Sequence, residues 1–202
     1  MLLIGIVGGV ASGKSVVAEK MRDFGGIVLD ADAAGHEVLR QPEVIAALGQ
    51  RWGKGILAQD GTINRAAVAK IVFAPDGLTE KKFLEALTHP RIERLLREQI
   101  AAAESLGDVP AAILDAALLF EAGWDKLCDY LVFVSAPREQ RLARALSRGW
   151  TQSEFLARES SQLPLDEKRS RCGFVIDNSH DLDSTRQQVG EFWRLNVRKT
   201  DH

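Results

Sequence analysis

Leu2-Leu3-Ile4-Gly5-Ile6-Val7 runs directly into Gly8-Gly9-Val10-Ala11-Ser12-Gly13-Lys14-Ser15, and this junction decides the fold. The apolar run from Leu2 to Val7 reads as a buried parallel strand, because a strand covered on both faces shows continuous rather than alternating hydrophobicity. The octapeptide from Gly8 to Ser15 satisfies GxxxxGK(S/T) in full, between a strand and a helix. Glycines let backbone N–H groups turn inward around an anion, and the helix that begins at Lys14 adds the positive end of its dipole. Gly9, Val10, Ala11, Ser12, Gly13, Lys14, Ser15 and Val16 are therefore the expected cradle for the phosphates of ATP. Lys14 is expected to reach the β- and γ-phosphates as a catalytic cation, and the Ser15 hydroxyl to bind Mg²⁺. The GxGxxG pattern of dinucleotide sites is missing.

Outward from this loop the pattern alternates. Lys14 to Phe24 reads as a helix with Val16, Val17, Met21 and Phe24 on one stripe, stopped by Gly25-Gly26. Ile27 to Leu29 is a second short strand. Asp32 to Arg40 and the stretch from Pro42 read as helical, and Arg51 to Thr62 is rich in turn residues. Asn64 to Phe73, Glu80 to Thr88 and Arg91 to Leu106 read as separate helices, with a break at His89-Pro90. Ala111 to Leu114, Tyr130 to Val134 and Phe174 to Ile176 are the remaining strands. Arg138 to Arg148, Thr151 to Gln162 and Asp183 to Arg198 are the remaining helices. Strands alternating with helices predict an α/β fold: a five-stranded parallel sheet flanked by helices, of the P-loop nucleotide-kinase kind. The expected organisation is one domain over 1–202, with a helical substrate lobe at about 60–120 and a lid at about 138–165.

Ligands of a parallel sheet bind beyond the carboxyl ends of its strands. Asp177 stands at one such end, before Asn178, and three further aspartates stand at others. Asp30 and Asp32 follow the second strand, where a carboxylate can orient an acceptor hydroxyl and take its proton. Either can instead cap the helix from Ala33. Asp115 closes the third strand in a Walker-B-like position, where it holds Mg²⁺ through water or contacts substrate; a capping role is the alternative.

Arg138, Arg141, Arg144 and Arg148 recur at helical spacing on or near one face. Such a stripe is either a solvated face or a lid that brings guanidinium groups to a transferring phosphoryl. Arg158, past the glycine at 149, belongs to the other arm of that lid. Asn178 follows the last strand, where it contacts adenine or makes an Asx turn. His89 reads as a capping or core histidine.

Composition narrows the class. The net charge of −2 gives no general pull toward nucleic acid or anionic membrane, so phosphate binding must come from local groups. Cys128 and Cys172 form no CxxC pair, which argues against a zinc site or disulfide framework and for a reducing, cytoplasmic setting. The apolar start lacks a basic leader, and no apolar run approaches membrane-spanning length. No membrane, nucleic-acid or obligate protein partner is expected.

With these residues in order, the chain resembles the bacterial dephospho-CoA kinases over nearly its whole length. The resemblance is carried by Gly8 to Ser15, Asp30-Ala31-Asp32, Asp60-Gly61 with Asn64-Arg65, Val72-Phe73 and His89-Pro90. It continues through Asp115, Leu118-Leu119-Phe120-Glu121, Arg144 and Arg148, Gln162 and Ile176-Asp177-Asn178. It implies ATP and Mg²⁺ as cofactors, dephospho-CoA as the small-molecule substrate, and phosphorylation of its ribose 3′-hydroxyl. It further implies Asp32 as general base, Arg144 and Arg148 as lid arginines, and Asp32, His89, Asp115 and Leu119 at the substrate. The chain departs from the family pattern at Ala11, where glycine is frequent, at Val16, where threonine is common, and at Ala117, where proline is usual. The lid is one residue short after Arg148. Two rival functions remain on the residues alone: another small-molecule or nucleoside kinase, of the shikimate type for instance, and a non-catalytic nucleotide switch. The guanine-recognition motif needed for a GTPase lacks its lysine at Asn178-Ser179-His180-Asp181.

Overall fold

A computed structural model describes residues 1–197. The first strand, β1 (Leu2–Gly8), is buried along all but its first residue. It delivers the chain into α1 (Lys14–Asp23), whose Val17, Ala18 and Met21 return to the sheet. β2 (Ile27–Asp30), β3 (Ala111–Asp115), β4 (Tyr130–Ser135) and β5 (Phe174–Asp177) complete a sheet of order β2-β3-β1-β4-β5. Every pairing is parallel, as the buried apolar runs predict. β1 is central: the chain leaves it for the edge strand β2, returns through β3 and crosses past β1 to β4 on its other side, so the crevice beyond the carboxyl end of β1 is the ligand-binding position of such sheets.

The chain divides into two compact units. Among the described residues, one comprises 1–30 and 99–197; the other is Ala31–Glu98. The core of the first unit joins Ile4 and Ile6 of β1 to Met21, Ile113, Val132 and Val134, and to Val189, Phe192 and Trp193 of α9 (Leu182–Asn196). Each such side chain contributes about 1.5–3 kcal/mol by leaving water. Tyr130, Phe174 and Phe192 meet edge-on, with centroids 4.9–6.1 Å apart. Asp181 caps α9 by accepting from Ser184 N. The expected end of this helix at Arg198 lies outside the described residues.

The second unit is helical: α2 (Ala31–Val38), α3 (Pro42–Trp52), α4 (Arg65–Val72) and the longer part of α5 (Leu78–Ser105). Pro42 stands at the start of α3, where its missing N–H is harmless. Asn64 caps α4. The turn-rich stretch between α3 and α4 closes through Asp60, which accepts from both the backbone and the hydroxyl of Thr62. Arg51 and Trp52 both donate to Glu80, the indole at 2.6 Å. Those hydrogen bonds, with Arg51 the stronger influence, draw the Glu80 carboxyl down to about 2.

The structure corrects one expectation here. Glu80 to Thr88 and Arg91 to Leu106 are a single helix, α5, with Pro90 inside it. A proline in a helix interior removes one N–H and crowds the preceding turn. The helix continues through Pro90 all the same, and Arg91 donates its guanidinium to Leu87 O at 2.6 Å. His89 is therefore a mid-helix residue rather than one at a break. Burial holds its imidazole below the usual range, so it is neutral at pH 7.

The segment expected to form a lid contains α6 (Arg138–Ser147) and α7 (Gln152–Ser160), separated by Gly149. Thr151 and Glu154 form a reciprocal capping box that starts α7. A further short helix, α8 (Leu165–Ser170), has no counterpart in the sequence expectations. Its six residues are too few to show periodicity, although Pro164 before it and the order Asp166-Glu167-Lys168-Arg169 suit a helix dipole.

Candidate active site

The phosphate loop is built by local backbone chemistry. Ser12 N donates to Gly9 O, and Gly13 O accepts from Val16 N and Val17 N as α1 begins. Gly13 has φ +95°, and a Cβ there would fall 2.0 Å from Asn178 Nδ2, so glycine is required for both conformation and space. Lys14 Nζ reaches back to Gly9 O at 3.5 Å. Ala11 has φ +57°, the one described non-glycine residue in the left-handed region. That conformation costs an L-residue roughly 1–2 kcal/mol. The departure from glycine at this position thus has a physical consequence.

At the mouth of the loop, Ser15 Oγ donates to Asp115 Oδ2 at 2.7 Å. Parallel register places Asp115 beside Ile6 of β1 and beside Asp30 of β2. Asp30 and Asp115 therefore end adjacent strands at the same sheet edge as the loop. Asp32 is exposed in the first turn of α2, in the second unit. The Ser15 and Asp115 oxygens suit a hard cation such as Mg²⁺, which takes one or two protein oxygens and completes its shell from phosphates and water. Among the described residues, no group of three His, Cys, Asp or Glu forms a metal cage.

The far side of the loop is clamped by a buried polar network. Asn178 Nδ2 donates to Ser12 O at 2.8 Å, and Thr185 Oγ1 donates to Asn178 Oδ1 at 3.0 Å. Asn178 and Thr185 are both buried. Arg144 Nη1 donates to the same Ser12 carbonyl at 3.0 Å, and its Nη2 to Asn178 O at 2.7 Å. Arg144 and Asn178, 34 residues apart in the chain, thus meet on one carbonyl. Of the two readings of Asn178, an adenine contact or an Asx turn, the turn is made by Asp177 instead: Asp177 Oδ1 accepts from Ser179 N at 2.9 Å. The Asn178 side chain is turned inward, where it supports the loop.

The arginine stripe separates into members with different surroundings. Arg138 and Arg141 both donate to Glu159 on α7, at 3.0 and 2.8 Å, and each lies 5.7 Å from the Phe155 ring centroid. Arg158 stacks over Trp150 at 4.2 Å. Arg148 is exposed, at the C-cap of α6. Side chains of Val10 and Ala11 pack with Ala145 and Phe155, so the loop apex rests on α6 and α7.

Spacing alone did not reveal the buried pair that anchors α8. Lys168 of α8 is fully buried and pairs with Glu121 at 3.0 Å. It also donates to Gln162 Oε1 at 3.1 Å, while Leu163 N donates to Glu121 Oε1 at 2.9 Å. Glu121 and Gln162 carry the family resemblance without an assigned role, and the pair with Lys168 supplies one. Removing one partner of such a buried pair costs about 3–5 kcal/mol. Leu119, anticipated at the substrate, is buried in the core, with its Cδ1 2.9 Å from where a Cβ on Gly5 would lie. Cys128 and Cys172 are free thiols that burial pushes up to about 12 and about 11. They are poor nucleophiles at neutral pH.

Comparison with known proteins agrees with this geometry. A family profile described as CoaE, dephospho-CoA kinase, matches residues 2–184. A dephospho-CoA kinase of Geobacter metallireducens is 41% identical over 98% of this chain and 98% of its own length. That of Symbiobacterium thermophilum is 38% identical over 96% of this chain and 81% of its own. A crystal structure of a Thermus thermophilus protein superposes with a TM-score of 0.81 at 34% identity, covering 96% of this chain and 97% of that one. A shikimate kinase of Acinetobacter baumannii, at 13% identity and a TM-score of 0.53 over 100% of this chain and 96% of its own, shares the fold.

Proposed function

The chain belongs to the dephospho-CoA kinase family, an ATP-dependent phosphotransferase family with a hydroxyl acceptor, and on that premise we propose how its residues divide the work. The reaction moves the γ-phosphoryl of ATP to the ribose 3′-hydroxyl of dephospho-CoA, giving ADP and CoA. The observation that carries the assignment of roles is the complete GKS loop whose Ser15 hydroxyl meets Asp115 at 2.7 Å.

In this reading the loop amides from Gly9 to Val16 and the Lys14 ammonium hold the phosphates. Ser15, with Asp115 behind it, would hold Mg²⁺, whose charge would offset that developing on the phosphoryl oxygens. Asp32 accepts the proton of the attacking 3′-hydroxyl. Asp30 is its competitor for that role, because register sets it beside Asp115. Arg144 shapes the loop through Ser12 O. Arg148, exposed at the end of α6, is the lid arginine with freedom to meet the phosphates on closure. His89, Leu119 and the helical lobe serve dephospho-CoA binding, His89 as a neutral imidazole and Leu119 by packing. Among the described residues no helix is long and apolar enough to cross a membrane. We place the activity in the cytoplasm, where ATP and the coenzyme precursor meet, with no obligate protein partner.

The test is a coupled assay of ADP release with and without dephospho-CoA, alongside a panel of nucleosides and shikimate. Release that depends on dephospho-CoA is expected. Release that is equally fast without any acceptor, or that prefers another hydroxyl compound, overturns the reading. Lys14→Ala should abolish turnover while leaving residual nucleotide binding to the backbone cradle.

A further inference from the structure

The proposed transfer scheme leaves one buried guanidinium without a task. Arg141 is 2% exposed. Its Nη1 donates to Val10 O at 3.3 Å and to Glu159 Oε1 at 2.8 Å, and its Nε donates to Ala136 O at 3.3 Å. A Cβ on Gly9 would lie 2.9 Å from that same Nη1, so the guanidinium is pressed against the start of the phosphate loop. Glu159 is shared with Arg138. Together with Gly9, Val10 and Leu165 these groups line a cleft of about 280 Å³.

The carbonyl that Arg141 holds belongs to the peptide joining Val10 to Ala11. Ala11 is the residue in the left-handed region. A trans peptide is planar, with its C=O and N–H pointing in opposite directions. Fixing Val10 O toward Arg141 therefore fixes the Ala11 N–H away from it. Were that peptide to flip, the loop would lose one inward donor and present a carbonyl to the phosphates instead. Glycine could keep the observed conformation without steric cost, whereas alanine needs an external hold. A guanidinium makes a charge-assisted bond stronger than a neutral one, and its planar fork reaches the carbonyl and a carboxylate together.

We infer that Arg141 is a positioning residue that holds the Val10–Ala11 peptide of the phosphate loop in its binding conformation, with Glu159 on α7 as the counter-charge that aims it. The inference rests on the phosphate-loop reading proposed above. It ties loop shape to the lid through a side chain that need never touch a phosphate.

The experiment measures the Kd of ATP with Mg²⁺ by calorimetry, and the thermal midpoint, for wild type and for Arg141→Gln combined with Glu159→Gln. The pair is neutralised together so that neither charge is stranded. The same pair is measured in an Ala11→Gly background, with Lys14→Ala as the control for the loop itself. The neutral pair should bind ATP about tenfold more weakly, or about 1.4 kcal/mol. In the Ala11→Gly background the same change should weaken ATP by less than about threefold, or about 0.65 kcal/mol. A merely structural role would lower the midpoint without this dependence on residue 11. Should the neutral pair not fold, Arg141→Lys replaces it, and the weaker ATP binding is again expected to shrink with Gly at 11. An unchanged Kd in a folded variant, or a loss undiminished by Ala11→Gly, overturns the positioning role while Lys14→Ala still weakens ATP. If Lys14→Ala leaves ATP affinity untouched, the phosphate-loop reading falls and the inference with it.

Discussion

Ser15 and Asp115 stand 100 residues apart in the chain, yet the Ser15 hydroxyl donates to the Asp115 carboxylate across 2.7 Å. The contact exists because β3 lies beside β1, which places the end of β3 next to the start of α1. In the proposed scheme these oxygens serve Mg²⁺, Ser15 directly and Asp115 from behind it. Asp115→Asn keeps the shape and removes the charge. It should raise the Mg²⁺ concentration for half-maximal activity by about 10–100-fold, the usual effect of losing an outer-shell partner. A Mg²⁺ titration of initial rates decides it; an unchanged midpoint would return Asp115 to a capping role.

The two aspartates after β2 are separated by kinetics. Asp32→Asn should lower kcat by about 10²–10⁴-fold, because an amide cannot accept the hydroxyl proton. Asp30→Asn should lower kcat less. Steady-state rates for both variants settle the order, and a larger loss at Asp30 would transfer the base role to the residue that shares a register position with Asp115.

Arg144 and Arg148 should fail differently. Arg144→Ala removes hydrogen bonds to the Ser12 and Asn178 carbonyls, so both the KM for ATP and kcat should worsen. Arg148→Ala should act on kcat, since a group that engages only on closure is felt chiefly in the transition state. Arg148→Lys should restore little, because a point charge does not reproduce a bidentate fork. Arg138→Ala should stay within about twofold, roughly 0.4 kcal/mol. If all three alanine variants stay within that range, none of these arginines takes part in phosphoryl transfer.

The helical unit carries its own pH signature. Hydrogen bonds from Arg51 and then Trp52 draw the Glu80 carboxyl from an ordinary 4.5 to about 2. A depressed carboxyl stabilises the fold while it is ionised. That contribution is whole above about pH 4.5 and is lost as pH falls from there toward 2. Glu80→Gln should therefore lower the thermal midpoint at pH 7, and the gap to wild type should narrow below pH 4.5. Melting curves across that range test it, and a gap of constant size would exclude the linkage.

The sequence by itself determined the strand–loop–helix at the amino terminus, the parallel sheet and the phosphate cradle. These depend on short-range chemistry: unbroken apolar runs, glycines where backbone must turn, and a lysine and a serine at fixed offsets. It also marked Asp30, Asp115 and Asn178, because a strand end is recognisable where an apolar run stops. It failed at Pro90, where a proline argued for a break and the helix instead runs through from Leu78 to Ser105. It failed again at α8, whose six residues carry no period. Only the tertiary structure decided which partners meet. The sheet order β2-β3-β1-β4-β5 brings Asp115 to Ser15. The same order brings the end of β5 to the loop, so that Asn178 and Arg144 share the Ser12 carbonyl. Periodicity gives every arginine of α6 the same face, but it cannot say that Arg141 is buried against Val10 and Glu159 while Arg148 stays in water. Propensity and spacing act over a few residues, whereas the energy of a buried charge depends on groups far away in the chain that packing alone brings within reach.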